Sequence, residues 1–269
     1  MLSSWVASGH VGLSAAAPAV QILGGEVTQL PTTILSNHAG WPHRHGGPLA
    51  VGQIWAMVDA LEANGWLAGH DALVTGYLPS PEHVDLAARL IDRMRRASER
   101  LRVVVDPVLG DDPKGLYVAP EIAAAVRDRL VPLADVLTPN RFELSWLSGR
   151  PVDDLSAAQA AARRLLAGKV QEVLVTSVPV SATETGVMAV SHDSARLWAS
   201  PLRTGVPNGV GDVFSGLVAA GLTTGAALGH LAALIDASLG KDHLKIAQSA
   251  PHWTGAGPVE PVTLPGTGD

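Results

Sequence analysis

The densest run of chemically useful residues is Pro207-Asn208-Gly209-Val210-Gly211-Asp212, followed at once by the apolar stretch that begins Val213-Phe214-Ser215-Gly216. Two glycines let the backbone turn so that successive N–H groups converge at the start of a helix, which makes an anion hole. Asp212 falls in the first helical turn, where the positive end of the helix dipole favours an ionised carboxylate. A carboxylate beside an anion hole suits phosphoryl transfer. Asp212 would take the proton of an attacking hydroxyl while the amides of Gly209, Val210 and Gly211 neutralise charge on the transferred group. An acidic first turn after a glycine turn is the plainer alternative, and these residues alone leave both open.

A second group, Thr138-Pro139-Asn140-Arg141-Phe142-Glu143, follows a short apolar run. Asn140 and Glu143 are three apart, so at a helix start they share a face and could hold a hydrated Mg²⁺ between phosphates, or simply cap the helix. Asp106 closes the strongest β-branched run, where it is either a site-edge acid or a turn acid. His38, His43 and His45 cluster in one loop. No carboxylate accompanies them and the spacing matches no zinc helix motif, so a polar loop near the site is the expectation.

Of two nucleotide-binding patterns, the phosphate-cradling loop is excluded and the dinucleotide fingerprint leaves a nicotinamide-dependent oxidoreductase only a weak competitor. Lys169 follows Gly168 but precedes Val170, so no phosphate-cradling loop ends in Gly-Lys-Ser/Thr. Gly9-His10-Val11-Gly12 lacks the middle glycine of a dinucleotide fingerprint, and the spacing over 209–216 is wrong for one. With no cysteine, thiol nucleophiles, disulfides and cysteine-zinc sites are also out. A net charge of −6, four lysines and no basic run argue against a nucleic-acid surface.

The elements that must position these residues are legible from patterning. Apolar β-branched runs at 27–35, 72–75, 101–105, 136–137 and 173–176 read as strands. Helical spacing covers 51–64, 81–99 and 120–130, and Ser156 with Gln159 resembles a capping box whose helix stops before Gly168. A hairpin is expected for 187–190 and 196–199 around His192-Asp193-Ser194. Alternation of strand and helix predicts an α/β fold, a mostly parallel sheet covered on both faces. The 269 residues, 47% of them hydrophobic with mean hydropathy +0.22, fit one domain over 1–250 with a Pro/Gly-rich tail over 251–269, loose or surface-bound. The apolar stretch 213–235 carries only His230 as an ionisable group, but Thr223-Thr224-Gly225 breaks it into two buried helices rather than a membrane span. Residues 1–20 lack any Lys or Arg, so no secretory signal is read and a cytoplasmic location is expected.

Taken in order, Ser4 with Gly9-His10-Val11-Gly12-Leu13-Ser14-Ala15-Ala16, Leu35-Ser36-Asn37-His38, Thr75-Gly76-Tyr77-Leu78, Asp106-Pro107-Val108-Leu109-Gly110 and Lys114-Gly115-Leu116-Tyr117-Val118 lead to the Asn-x-x-Glu and Gly-Val-Gly-Asp elements. Over roughly 2–239 the chain resembles pyridoxal kinases of the ribokinase-like superfamily; the glycine–aspartate element alone marks only the superfamily. The resemblance implies a three-layer α/β/α fold and transfer of the ATP γ-phosphoryl to the 5′-hydroxyl of pyridoxal. It also implies a homodimer and a need for Mg²⁺, often with K⁺. By the same resemblance Asp212 is the base, and Ser4, His38, Ala39, Gly40 and Tyr77 wall the pyridoxal. Asp106, Thr138, Asn140, Glu143 and Thr176 fall where ATP phosphates and their metal are held, with Asp106 and Glu143 as metal candidates. Ser200, Pro201, Leu202 and Arg203 fall on the nucleotide. The loop 110–117 would be a lid that excludes water, with Lys114 approaching the phosphates.

Trp5, Ser8 and Ala39 stand where the family usually has His, Tyr and Thr, and Thr176 stands where some members have Lys. Only Met1, Leu2 and Ser3 precede Ser4, so a shortened opening strand is expected. Two competing readings remain: the same fold acting on another small alcohol such as hydroxymethylpyrimidine or a sugar, and a pyridoxal-binding homologue without turnover. Ser4, His38 and Tyr77 favour pyridoxal over the first. Intact Asp212, Asn140 and Glu143 favour turnover over the second.

Overall fold

A computed structural model describes residues 1–264. Its core follows from alternation along strands whose two faces are both buried. In β5 of the central sheet (Arg102–Val105), Val103 and Val105 enter one apolar cluster while Val104 enters the other. The same division holds further along the sheet. Leu137 faces the first cluster and Val136 the second, and Val173 and Val175 lie opposite Leu174. Two-sided burial is why these strands read as continuous β-branched runs.

In chain order the sheet strands are β1 (Leu2–Val6), β2 (Leu30–Leu35), β3 (Gly46–Pro48), β4 (Ala72–Thr75) and β5, then β8 (Val136–Leu137), β9 (Glu172–Pro179), β10 (Glu184–Ser191) and β11 (Ala195–Pro201). Between β5 and β8 lies a separate two-stranded hairpin, β6 (Gly110–Asp111) and β7 (Gly115–Leu116). The nine-stranded sheet has the order β11-β10-β9-β8-β5-β4-β1-β2-β3. From β9 to β2 every pairing is parallel, and β3, β10 and β11 add antiparallel edges.

Helices α1 (Leu13–Ile22), α7 (Val210–Ala219) and α8 (Thr224–Ser238) cover one face. On the other face lie α2 (Val51–Ala63), α3 (Pro81–Ala97), α4 (Pro120–Ala125), α5 (Arg141–Ser148) and α6 (Leu155–Leu165). The three-layer α/β arrangement expected from patterning is the one observed. The hairpin β10–β11 turns at 192–194 as expected, and both its strands extend beyond the predicted cores.

Some boundaries differ for local reasons. Strand β2 starts at Leu30 rather than 27. Helix α6 is capped by Asp154, not Ser156: the Asp154 carboxylate accepts from the Ala157 amide at 2.7 Å, and Leu155 already has helical geometry. The stretch 213–235 is two helices, with α7 ending at Ala219 and α8 opening on a Thr223 cap. Among the described residues no helix is long and apolar enough to cross a membrane. Strand β1 sits between β2 and β4 and pairs with β2 along all five of its residues. Only Leu2 of β1 pairs with β4.

Of the segment 251–269, residues 265–269 lie outside those described. The rest is laid onto the domain. Short helix α9 (Ala250–Trp253) carries Trp253, fully buried, whose indole N–H donates to the Ile246 carbonyl at 2.8 Å, and Val262 bridges to Leu197 of β11. Trp253→Ala is expected to cost about 3–5 kcal/mol, the usual loss for a buried aromatic, measured as a drop in the urea unfolding midpoint at unchanged slope.

Candidate active site

Helix α7 begins at a backbone contact only glycine permits. Gly209 is its N-cap with φ +99°, and a Cβ there would strike the His10 carbonyl. No side chain caps this helix, so the first amides, from Val210 onward, have no partner inside it and are left to point outward. The loop before α1 closes on the same spot. Gly12 lies so close to Ser4 that a Cβ would overlap the Ser4 backbone and hydroxyl. Ser14 fastens this loop to the sheet by accepting from the Val6 amide at 3.0 Å and donating to its carbonyl at 2.8 Å.

Three carboxyl groups run outward from this junction, Asp212 beside Asp106 and Asp106 beside Glu143. Burial raises Asp212 to about 6, held back by the amides of Gly12 and of Asp212 itself. Asp106, at the end of β5, is pushed to about 8 by burial and by the charge of Asp212. Glu143, only 4% exposed, is raised by burial and by the charge of Asp106. No arginine or lysine pairs with Asp106 or Glu143 among the described salt bridges. What holds Asp106 instead is neutral: the Ser215 hydroxyl donates to it at 2.9 Å, and Ser215 also bonds Thr138 at 2.8 Å.

Asn140 and Glu143 form the capping box that sequence spacing allowed. The Glu143 amide donates to Asn140 and the Asn140 amide to Glu143, each at 2.9 Å. The same Glu143 carboxylate accepts from the Leu109 amide at 2.9 Å, and Asn140 donates to the Gly110 carbonyl at 2.8 Å. One helix start therefore grips the root of the 110–117 loop. That loop is the β6–β7 hairpin, tied further by Arg141 to Asp112 at 2.7 Å. Lys114 on its tip is close enough to His38 to help burial lower the imidazole pKa.

His38 accepts on Nδ1 from the Gly40 amide at 3.2 Å, with the Asn208 amide group at 3.4 Å. Asn208 is the residue before Gly209, so the wall predicted for the vitamin touches the anion hole. Ala39 and Gly40 are exposed, and the Ala39 carbonyl accepts from Arg44. Tyr77 is held through its backbone by Ser3 and Thr32, and burial raises its phenol. On the far side Thr176 forms a parallel bridge with Asn140. Ser200 and Pro201 end β11, while Leu202 is largely exposed and Arg203 pairs with Asp236 at 2.6 Å. No hydrogen bond joins 200–203 to the carboxyl cluster; the shared sheet end relates them.

Sequence reasoning missed three participants. Ser215 was visible as i+3 from Asp212 on α7, but its tie to Asp106 spans 109 positions. Gly12 was quoted only as motif. Ser177, beside Thr176, has φ +58° and is the non-glycine residue at positive φ among those described. That backbone is sparsely populated and collects at functional sites. Nothing in composition announces it.

The phosphomethylpyrimidine kinase family matches residues 61–237. A pyridoxine/pyridoxal/pyridoxamine kinase of Bordetella avium is 40% identical over 230 residues, 84% of this chain and 78% of the relative. A pyridoxal kinase PdxY of Rubrobacter xylanophilus is 36% identical over 242 residues, 88% and 83% of the two chains. The chain belongs to the pyridoxal kinase family. Solved structures agree: the pyridoxal kinase of Leishmania donovani in complex with ADP and pyridoxamine superposes with TM-score 0.88 at 29% identity, covering 97% of this chain and 99% of that one. The Entamoeba histolytica pyridoxal kinase reaches 0.89 at 25% identity, covering 97% and 98%.

For this pyridoxal kinase family member the carboxyl cluster has a consequence in the free protein. A carboxyl whose folded pKa is raised binds protons that the unfolded chain has already lost. Stability therefore falls as pH rises from about 4 through about 6 for Asp212. Asp212→Asn removes that charge. The variant should melt a few degrees above the parent at pH 8 and at the same temperature near pH 4, as read by paired thermal scans.

Proposed function

We propose that this chain transfers the γ-phosphoryl group of ATP to the 5′-hydroxyl of pyridoxal, giving pyridoxal 5′-phosphate, and accepts pyridoxine and pyridoxamine as well. The observation that carries the reading is Asp212 in the first turn of α7, beside unpaired backbone amides, with a pKa of about 6 that leaves it ionised at neutral pH. Asp212 takes the hydroxyl proton as the oxygen attacks. The first amides of α7, with Gly209, Val210 and Gly211 forming the turn, stabilise charge on the phosphoryl in flight. The anion hole itself is built from backbone, which fits a chain with four lysines.

Asp106 and Glu143 fit a divalent ion. Both are buried carboxyl groups that repel their neighbours and lack a countercharge. Among the described residues no three acidic or histidine side chains converge enough to hold a metal by themselves. Asp106 and Glu143 would hold Mg²⁺, which when bound would supply positive charge against the ATP phosphates. Ser215 and Thr138 orient Asp106, and Thr176 with 200–203 receives the nucleotide. Ser4, His38, Ala39, Gly40 and Tyr77 wall the vitamin, and the 110–117 hairpin closes over both to exclude water. The protein is read as a cytoplasmic homodimer. A second reading, phosphorylation of hydroxymethylpyrimidine, is kept because the matching family is named for phosphomethylpyrimidine kinase.

Incubation with Mg²⁺-ATP and pyridoxal, pyridoxine or hydroxymethylpyrimidine, with the phosphate ester measured, separates these readings. Pyridoxal ester is expected; ester from hydroxymethylpyrimidine alone supports the second, and bound pyridoxal without ester supports a non-catalytic role. The same assay with Na⁺ in place of K⁺ tests the monovalent requirement.

Asp212→Ala should lower kcat by about 10²–10⁴-fold with ATP affinity largely intact, and the parent's kcat/KM for pyridoxal should rise with pH through about 6. Lys114→Ala should slow turnover; unchanged turnover would remove Lys114 from the site.

A further inference from the structure

One cavity is not accounted for by the reaction site. It holds about 300 Å³ and is lined by Ser8, Asn37, Trp41, Pro42, Asp242 and His243, together with His43. Ser4, Tyr77 and Asp212 do not line it. Two of its walls nevertheless continue the loops that carry the vitamin wall. Ser8 follows β1, which bears Ser4, and Asn37 and Trp41 flank His38 after β2. The third wall, 242–243, follows α8.

This third wall is built to hold its place. Leu244 and Ile246 are fully buried, and the Lys245 amide donates to the Ser238 hydroxyl at 2.9 Å. His243 is laid so close over Gly9 that a Cβ there would stand 2.8 Å from both Nδ1 and Cε1 of the imidazole. Its ring faces Trp41 at 6.1 Å between centroids, tilted by 55°. Trp41 is 41% exposed, so an aromatic surface is offered to solvent at the mouth of the site. His243 also reaches inward, since its charge helps lower the pKa of both His10 and His38.

We propose that this cavity is an outer docking station for the pyridine ring of the B6 vitamer, occupied before the ring passes His38 to reach Asp212. The inference rests on the vitamer-kinase reading above. The occupant is identified by its chemistry. Trp41 and His243 offer aromatic surface to a flat heterocycle. Ser8 and Asn37 offer hydrogen bonds to ring hydroxyl groups, and the Asp242 carboxylate suits a pyridinium N–H or an aminomethyl group. A triphosphate does not suit a cavity bearing that carboxylate.

The test uses pyridoxine, which has no aldehyde to form an imine with lysine. Trp41→Ala and His243→Ala should each raise KM for pyridoxine about two- to tenfold, the usual worth of one aromatic contact, with kcat and KM for ATP unchanged. Trp41→Phe keeps a flat face and should restore most of the loss, which a merely structural role would not predict. Unchanged KM for pyridoxine in both alanine variants overturns the station, as does a fall in kcat together with a changed KM for ATP. If the parent turns over no B6 vitamer, the kinase reading fails first. The station is then judged by calorimetric pyridoxine binding, which the double alanine variant must weaken for it to stand and which equal binding overturns.

Discussion

The site depends on the close approach of two backbone turns. The carbonyl of His10 occupies the space a side chain would need at Gly209, and the amide of Gly12 lies beside the carboxyl of Asp212. This one junction fixes where α7 starts, aims its free amides and sets the protonation of the acid among them. It is possible because α1 and α7 are neighbours in the same layer, packed closely enough that Gly216 lies against Ala16. A methyl group at Gly209 would strike the His10 carbonyl and one at Gly12 the backbone of Ser4, so either would displace a turn of the junction and spoil the aim of the amides.

Around the junction the protein holds negative charge without cationic side chains. The charge of Asp212 raises the pKa of Asp106 and the charge of Asp106 raises that of Glu143, and hydroxyl groups and backbone amides are the local support. Such an arrangement is unfavourable in the free protein and becomes favourable when cationic charge arrives. The proposed chemistry and stability are thus opposed at Asp212: the burial that raises its pKa also makes its ionised form costly.

Helix α5 links this electrostatics to the 110–117 hairpin. Its capping box would stabilise any helix, but here Glu143 also holds the Leu109 amide and Asn140 the Gly110 carbonyl. The cap of a helix is at the same time the anchor of the 110–117 hairpin.

Much of this was legible in the sequence. Two-sided strands announced themselves as unbroken β-branched runs, Thr223-Thr224-Gly225 marked the break between α7 and α8, and the glycine pair before Asp212 predicted a turn with free amides. These are local properties, set by side-chain shape and backbone freedom within a few residues. The Asp106–Ser215–Thr138 network, the positive φ of Ser177, the burial of Trp253 and the placing of His243 over Gly9 were not legible. The network and the placing of His243 join segments 70 or more positions apart, Ser177 carries strain imposed by neighbours, and Trp253 is buried by the docking of α9, so each was decided only by tertiary packing. The sequence by itself determined which residues could carry charge and turn the chain; tertiary packing decided which of them meet, because burial and mutual repulsion exist only after folding.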